Sequence, residues 1–501
     1  MEYPALTPEI FSVEDAWKPL PNRSWNSEEA QHLLRRMGFS ATPESVAAAL
    51  RQSPEQCIRE AFQAGEPLEK SDALLEFESA LPQRYRDIGA EEDREAKQEA
   101  RRELRREDEV LFREFAMDWF YHARRPENSV REKFVLFLQD IFVVARTTIR
   151  ETAVLFNLQE TLRAGIDGSY PDLCKQVSRE PAMVRYLNLD KNTARKPNEN
   201  FARELFELFT LGEGNYTEQD IKEASRAFTG YRVRNRNEFF YQKRLHDSGD
   251  KTVFGATGDW EGDDIINLSF QQKAARSFLI RELIDFYLSN QSVPEPYIEA
   301  LGDQWADSGF QLSFLIETFF QSRLFFHPAY RGNFVKSPIH FYIGLCQDLR
   351  LDIAPFDSRI LRSMRVMGQS FYDPPNVRGW LYGEHWINST TISGRRQLVD
   401  YLFAPLREKR LNGNESRALE EAREAGRDEF LVTDERLQQA LGRDAEALAE
   451  HFTTYFITAP SRTTYQPALQ KIIGDTEQPN AVKRIRHAMI ALLQSPAYNL
   501  C

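Results

Sequence analysis

Residues 198–232 constrain the fold more than any other stretch, because they hold two complete helix signatures around one glycine-punctuated joint. Pro197 disfavours helix at Lys196, Asn198 is a strong N-cap residue, and Glu199 falls where the helix dipole favours an anion. Phe201, Ala202, Leu205, Phe206, Leu208 and Phe209 make a wide apolar face. Asn200, Arg203, Glu204 and Glu207 recur at i, i+3, i+4 and i+7 as a single polar stripe. Gly212 and Gly214 stop this helix. Thr217 and Asp220 have the spacing of a capping box for a second helix, whose buried edge is Ile221, Ala224 and Phe228 and which ends at Thr229-Gly230.

The stripe has two readings. Arg203 and Glu207 are spaced as an i, i+4 pair on a solvated face, with Glu204 turned to water. Alternatively, a helix with so wide an apolar face is deeply packed. Its narrow polar side then faces a polar cleft, where Arg203 and Asn200 partner the carboxylates.

The rest of the chain supports a mainly α fold: a multi-helical orthogonal or bundle-like globule with a small β-hairpin insertion. At 501 residues the chain is too long for one ordinary core, and its 42% hydrophobic content suffices for globular packing. The patterning divides it into an N-terminal helical region (1–90), a charged helical arm (91–125), a helical core with cleft and hairpin (126–400) and a C-terminal helical subdomain (401–501). In the arm, 14 of the 18 residues from 91 to 108 are charged with mixed signs, which predicts a solvated helix or a partner-binding one. The apolar run over 132–146 is too long for a typical strand and reads as a buried helix interrupted by Gln139 and Asp140. Downstream, Leu279, Leu283, Phe286 and Tyr287 line one of several amphipathic helices.

A net charge of −12 argues against general nucleic-acid or anionic-membrane binding. No apolar run is long enough to span a membrane. The first ten residues lack a basic segment followed by an apolar run, so the visible N-terminus reads as cytoplasmic. Cys57, Cys174, Cys346 and Cys501 are scattered and are expected to be free buried thiols.

β-structure is expected at 231–242, where alternating and aromatic residues flank Asn235-Arg236-Asn237. The next loop, from His246 through Asp247, Ser248, Gly249, Asp250 and Lys251, lacks the register of a calcium loop. It is read as a hydrogen-bonded turn, and neither a metal nor another cofactor is expected. A further loop, over 368–390, is dense in Trp, Asn, Gly and Pro. Trp380 and Trp386 beside Asp373, Asn376, Arg378, His385 and Asn388 suit a sugar or another polar ring-bearing ligand; equally, they suit a rigid loop plugged onto the core.

Several long motifs occur in a recognisable order: Pro-Asn-Glu-Asn-Phe-Ala-Arg-Glu-Leu-Phe-Glu-Leu-Phe-Thr-Leu-Gly from Pro197, Asn-Tyr-Thr-Glu-Gln-Asp from Asn215, His-Asp-Ser-Gly-Asp-Lys-Thr from His246, and Phe-Tyr-Asp-Pro-Pro-Asn-Val-Arg-Gly-Trp from Phe371. With His-Leu-Leu-Arg-Arg-Met-Gly-Phe at His32, they resemble the bacterial family known as domain of unknown function 1800. The resemblance brings a helical fold but no reaction. It implies a phosphatase- or sulfatase-like protein encoded nearby, and export of many members. Where that family tends to read Lys-Met-x-Leu-Phe-Trp-His-Asn-His-Phe, this chain has Gln139 and Ile141 in place of the two histidines. Any metal or proton chemistry of those histidines is then lost here or done otherwise.

These residues support two functions. One is a non-catalytic binding or assembly protein whose cleft takes a glycan-like ligand or a partner segment, through Asn198, Asn200, Arg203, Asn215, Tyr216, Asp247, Lys251, Asp373, Asn376, Arg378, Trp380, Trp386 and Asn388. The other is a hydrolase-like enzyme using Glu204 or Glu207 and His246 as acid and base. Both place the helix over 199–211 across a cleft from the loops at 246–251 and 373–380.

Overall fold

A computed structural model describes residues 11–289, 293–353 and 357–501. The first ten residues, on which the reading of the N-terminus rests, lie outside them. The chain is 64% helical, with 24 helices among the described residues and two antiparallel two-stranded sheets. Buried apolar side chains from Ala16 to Tyr498 form one continuous cluster. No helix among the described residues is long and apolar enough to cross a membrane. All four cysteines are free and buried.

The buried helix is Pro126–Ile141, with Pro126 at its first turn. Phe134, Val135, Leu136, Phe137 and Leu138 are all essentially inaccessible, so it is covered on every side. Each such side chain contributes about 1.5–3 kcal/mol of burial. Its buried charges are individually satisfied, as burial demands. Lys133 Nζ donates to the carbonyls of Arg36 and Gly38, both at 2.7 Å, and burial depresses its pKa to about 7. Glu132 accepts from Arg163 Nε at 2.6 Å and from Trp119 Nε1 at 2.8 Å.

The charged arm starts three residues later than its composition suggests. Glu91 caps the C-terminus of a helix over Asp72–Ala90, and the arm helix runs over Arg94–Arg124 with Asp93 as its N-cap. The two pack as an antiparallel pair, tied by Arg84 to Glu107 at 2.6 Å. Between Arg94 and Asp108 only Leu104 and Asp108 are buried.

The expected hairpin pairs Tyr231–Arg234 with Glu238–Tyr241. A second one pairs Lys251–Val253 with Ala256–Gly258 inside the segment read as a loop. Phe254 and Gly255 make its two-residue turn with φ of 51° and 80°, the twist that suits a tight hairpin. The capping box at Thr217 is present in both directions and starts the helix Glu218–Ala227. The first helix of that stretch is regular over Asn200–Glu204 with Glu199, one residue later than expected, at its N-cap, and the Asn198 Oδ1 accepts the Asn200 N–H at 3.0 Å just ahead of it.

Candidate functional site

Two π-helical turns, Leu205–Thr210 and Ile284–Leu288, continue the helices Asn200–Glu204 and Ala275–Leu283. In each, an amide bonds the carbonyl five residues back: Leu211 to Phe206 and Ser289 to Ile284, both at 2.9 Å. A π-turn inserts one residue and so rotates every later side chain about the helix axis. The carbonyls it leaves free need donors. Thr210 Oγ1 donates to the Leu205 carbonyl at 2.6 Å, and the buried Arg36 guanidinium donates to those of Tyr287 and Leu288 at 2.9 and 2.7 Å. Arg36 lies in the His-Leu-Leu-Arg-Arg motif, so that motif supports the second π-turn.

The members of the polar stripe read from the sequence take separate partners. Arg203 stays on the outer side, paired through both terminal nitrogens with Glu218 at 2.8 Å, and Glu218's side chain is 76% exposed. Arg203 is therefore not the buried partner of a cleft carboxylate. Glu207 pairs elsewhere. It accepts from Tyr216 Oη at 2.8 Å and from Arg378 Nη2 at 2.5 Å.

Glu207 thereby joins a cleft of about 830 Å³. One wall is the first π-turn and the following turn, with Glu213 and Asn215. The opposite wall is the Ala275–Leu283 helix and the second π-turn, with Phe278, Glu282 and Asp285. Asp140 and Ile141, at the end of the buried helix, form the floor, and Arg378, Trp380, Tyr382 and His385 close the third side. Ile141 thus puts an apolar side chain in the cleft. Gln139 faces inward, toward Phe371 and Tyr372.

Seven acidic residues line the cleft against three basic ones, Lys273, Arg281 and Arg378, so it selects against anions. The bases are held at the rim. Lys273 pairs with Glu299 at 2.7 Å, Arg281 with Glu295, and Arg378 with Glu207 and Glu213. Of the remaining acids, Asp140 is buried, Glu282 half-buried and Asp285 exposed. Burial pushes Asp140 well above the usual carboxylate range, with Glu282 adding to the shift and the Trp380 N–H, 2.8 Å from Asp140 Oδ1, opposing it. Burial and then the charge of Asp285 push Glu282 up to about 7. Asp285 is raised by burial against the pull of Arg281. A carboxyl held near 7 both donates and accepts around neutral pH, so Glu282 brings both roles to this wall. Glu204, half-buried, is raised by burial and by Glu207.

Of the candidate residues singled out from the sequence, Glu207, Asn215, Arg378, Trp380 and His385 line this cleft. The 246–251 loop lies elsewhere. His246 Nδ1 bonds the Thr229 carbonyl at 3.0 Å, Asp247 takes a two-point contact from Arg226 at 2.8 and 3.1 Å, and buried Lys251 reaches Asp259 at 3.0 Å. The C-terminal end of the Glu218–Ala227 helix has captured the loop, which satisfies its polar groups there. Asn200 Nδ2 donates to the Leu187 carbonyl, Asn376 accepts the Arg378 N–H, and Asn388 caps the helix Ser389–Phe403. Trp380 and Trp386 are more than nine-tenths buried against Val335, so neither ring face is free. Asp373 lines a different cleft.

Sequence reasoning missed Glu282 and Asp285. Their signal was available: two acids at i, i+3 inside an otherwise apolar helical run. Among the described residues, no three His, Cys, Asp or Glu side chains gather to hold a metal.

These features define a mainly helical protein organised around an acidic cleft between two π-turns. The chain belongs to the family described as Protein of unknown function (DUF1800), whose model matches residues 32–500. No curated protein and no solved structure matches this chain.

Proposed function

We propose that the chain is a binding protein whose acidic cleft receives a polar, hydroxyl-rich ligand of glycan type, neutral or amine-bearing. The observation that carries this reading is the cleft interior. Burial raises both Asp140 and Glu282, and Glu282, at about 7, donates as well as accepts near neutral pH, while rim acids repel anions. The rings of Phe278 and Tyr382 supply apolar edges, and about 830 Å³ accommodates one or a few sugar rings. Titration calorimetry with matched neutral, amine-bearing and carboxylate-bearing oligosaccharides tests it. The first two should bind and the third should not. Preference for the acidic series, or no binding to any, would overturn the reading.

Glu282 favours a second reading, a hydrolase-like enzyme. A carboxyl with a pKa of about 7 is poised as a general acid or base, and Asp140 beside it is available as a second group. This moves the acid–base role from Glu204, Glu207 and His246 to the opposite wall and the floor. Glu282→Gln should then abolish turnover of a bound oligosaccharide and leave its affinity nearly intact. Equal turnover by wild type and variant would eliminate this reading and leave the binding one standing.

A further inference from the structure

A second cleft, of about 660 Å³, opens between the charged arm helix, the turn after the buried helix and the helix Asp357–Val366. Its charge is opposite to that of the first. Six arginines line it, Arg105, Arg113, Arg146, Arg150, Arg362 and Arg365, against Asp108, Glu109 and Asp373. In a chain of net charge −12, an excess of three positive charges around one cavity runs against the field of the whole molecule.

The acids present are largely committed. Asp108 is buried, accepts the Thr152 N–H at 2.9 Å and pairs with Arg146 at 3.2 Å, while Glu109 takes Arg146 at 3.0 Å. Arg146 is further fixed by stacking over Phe112, 3.8 Å from the ring centre, so it forms a rigid cationic back wall. In front of it Arg150, Arg362 and Arg365 are exposed. None of the three has a carboxylate partner among the described residues. Arg105 reaches only a carbonyl, that of Arg101 at 3.0 Å. Like charges brought together from separate elements repel one another unless an anion sits between them. Guanidinium groups suit oxyanions because their paired N–H groups match two oxygens at once.

We propose that this cleft is an oxyanion site, and that its ligand is a multiply charged phosphate or sulfate, free or as an ester. The site is separate from the acidic cleft and does not depend on the function assigned there.

Calorimetry with the full chain tests this, using inorganic phosphate, pyrophosphate and sulfate at two salt concentrations. Pyrophosphate should bind with an affinity that falls as salt rises. The triple variant Arg150→Gln, Arg362→Gln, Arg365→Gln, all at exposed positions, should weaken it by about tenfold or more. The same variant should keep the circular dichroism spectrum and thermal midpoint of wild type, which separates loss of this site from misfolding. Phosphate binding without sulfate binding assigns the phosphate class, and the reverse assigns the sulfate class. Dissociation constants weaker than about 10 mM for all three anions, or affinity unchanged in the triple variant, would overturn the proposal.

Discussion

Trp380 donates its backbone N–H to the Oδ1 of Asp140 at 2.8 Å, which clamps the 376–380 loop onto the end of the buried helix. Gly379 makes the approach possible. A Cβ there would lie 2.1 Å from Asp140 Oδ1 and 2.7 Å from the Asp140 carbonyl, and its φ is +76°. Gly379→Ala should therefore cost about 1–3 kcal/mol from backbone strain alone, with the collision adding to it. Denaturant unfolding reads the loss. Ligand affinity of the acidic cleft should fall with it, because Arg378 and Tyr382 ride on the same loop.

Glu282 makes stability depend on pH in a defined direction. Its ordinary value of 4.5 is raised to about 7 in the fold. A group raised in this way contributes stability that is whole below the unfolded value, near 4.5, and is lost as the pH rises through about 7. Glu282→Gln removes that dependence. The variant should match wild type near pH 4.5 and exceed it above pH 7 by about 1–3 kcal/mol, allowing for solvent screening across an open cleft. Thermal midpoints of the two proteins across this range check both the sign and the window.

Period and punctuation made the helical class, the first hairpin, the capping box at Thr217 and the burial of the 126–141 helix legible in the sequence. The π-turns were not legible. Nothing in Leu-Phe-Glu-Leu-Phe-Thr announces a π-turn, and the 3.6-residue period that lines up Arg203, Glu204 and Glu207 does not say which of them finds a partner across the cleft. The donors that hold the π-turns are partly remote: Arg36 lies 251 and 252 residues before the carbonyls it bonds. The second hairpin was concealed by its two-residue turn, because Phe254 takes a left-handed φ usually left to Gly or Asn. Arg378 was found as a residue of a conspicuous loop. Glu282 and Asp285 looked like solvated positions until the opposite wall was in place.

Arg203 pairs at the surface. Its partners Glu218 and Glu199 are exposed, and exposed pairs contribute little. Arg203→Ala should leave the unfolding midpoint close to that of wild type, in place of the large loss expected of a buried partner. A loss as large as that of a core ion pair would show that the face is covered in solution.

Glu132 is where such a loss belongs. Its carboxylate is buried, held by Arg163 through Nε at 2.6 Å and Nη2 at 2.7 Å, by Trp119 Nε1 at 2.8 Å, and with His122 3.6 Å away. Burial pushes its pKa up, but Arg163 and His122 outweigh that and hold it down to about 2. A carboxylate lowered in this way contributes stability that is present above its unfolded value of 4.5 and is lost as the pH falls through about 2. Glu132→Gln leaves Arg163 with only the rim carboxylate of Glu160 and should cost about 3–5 kcal/mol at neutral pH. The gap between variant and wild type should narrow steadily below pH 4.5, as wild type loses what the variant already lacks. Urea unfolding at pH 7 and pH 3 measures it; a gap that stayed constant would mean that the charge on Glu132 is not what holds the Arg163 helix against the Pro126–Ile141 helix.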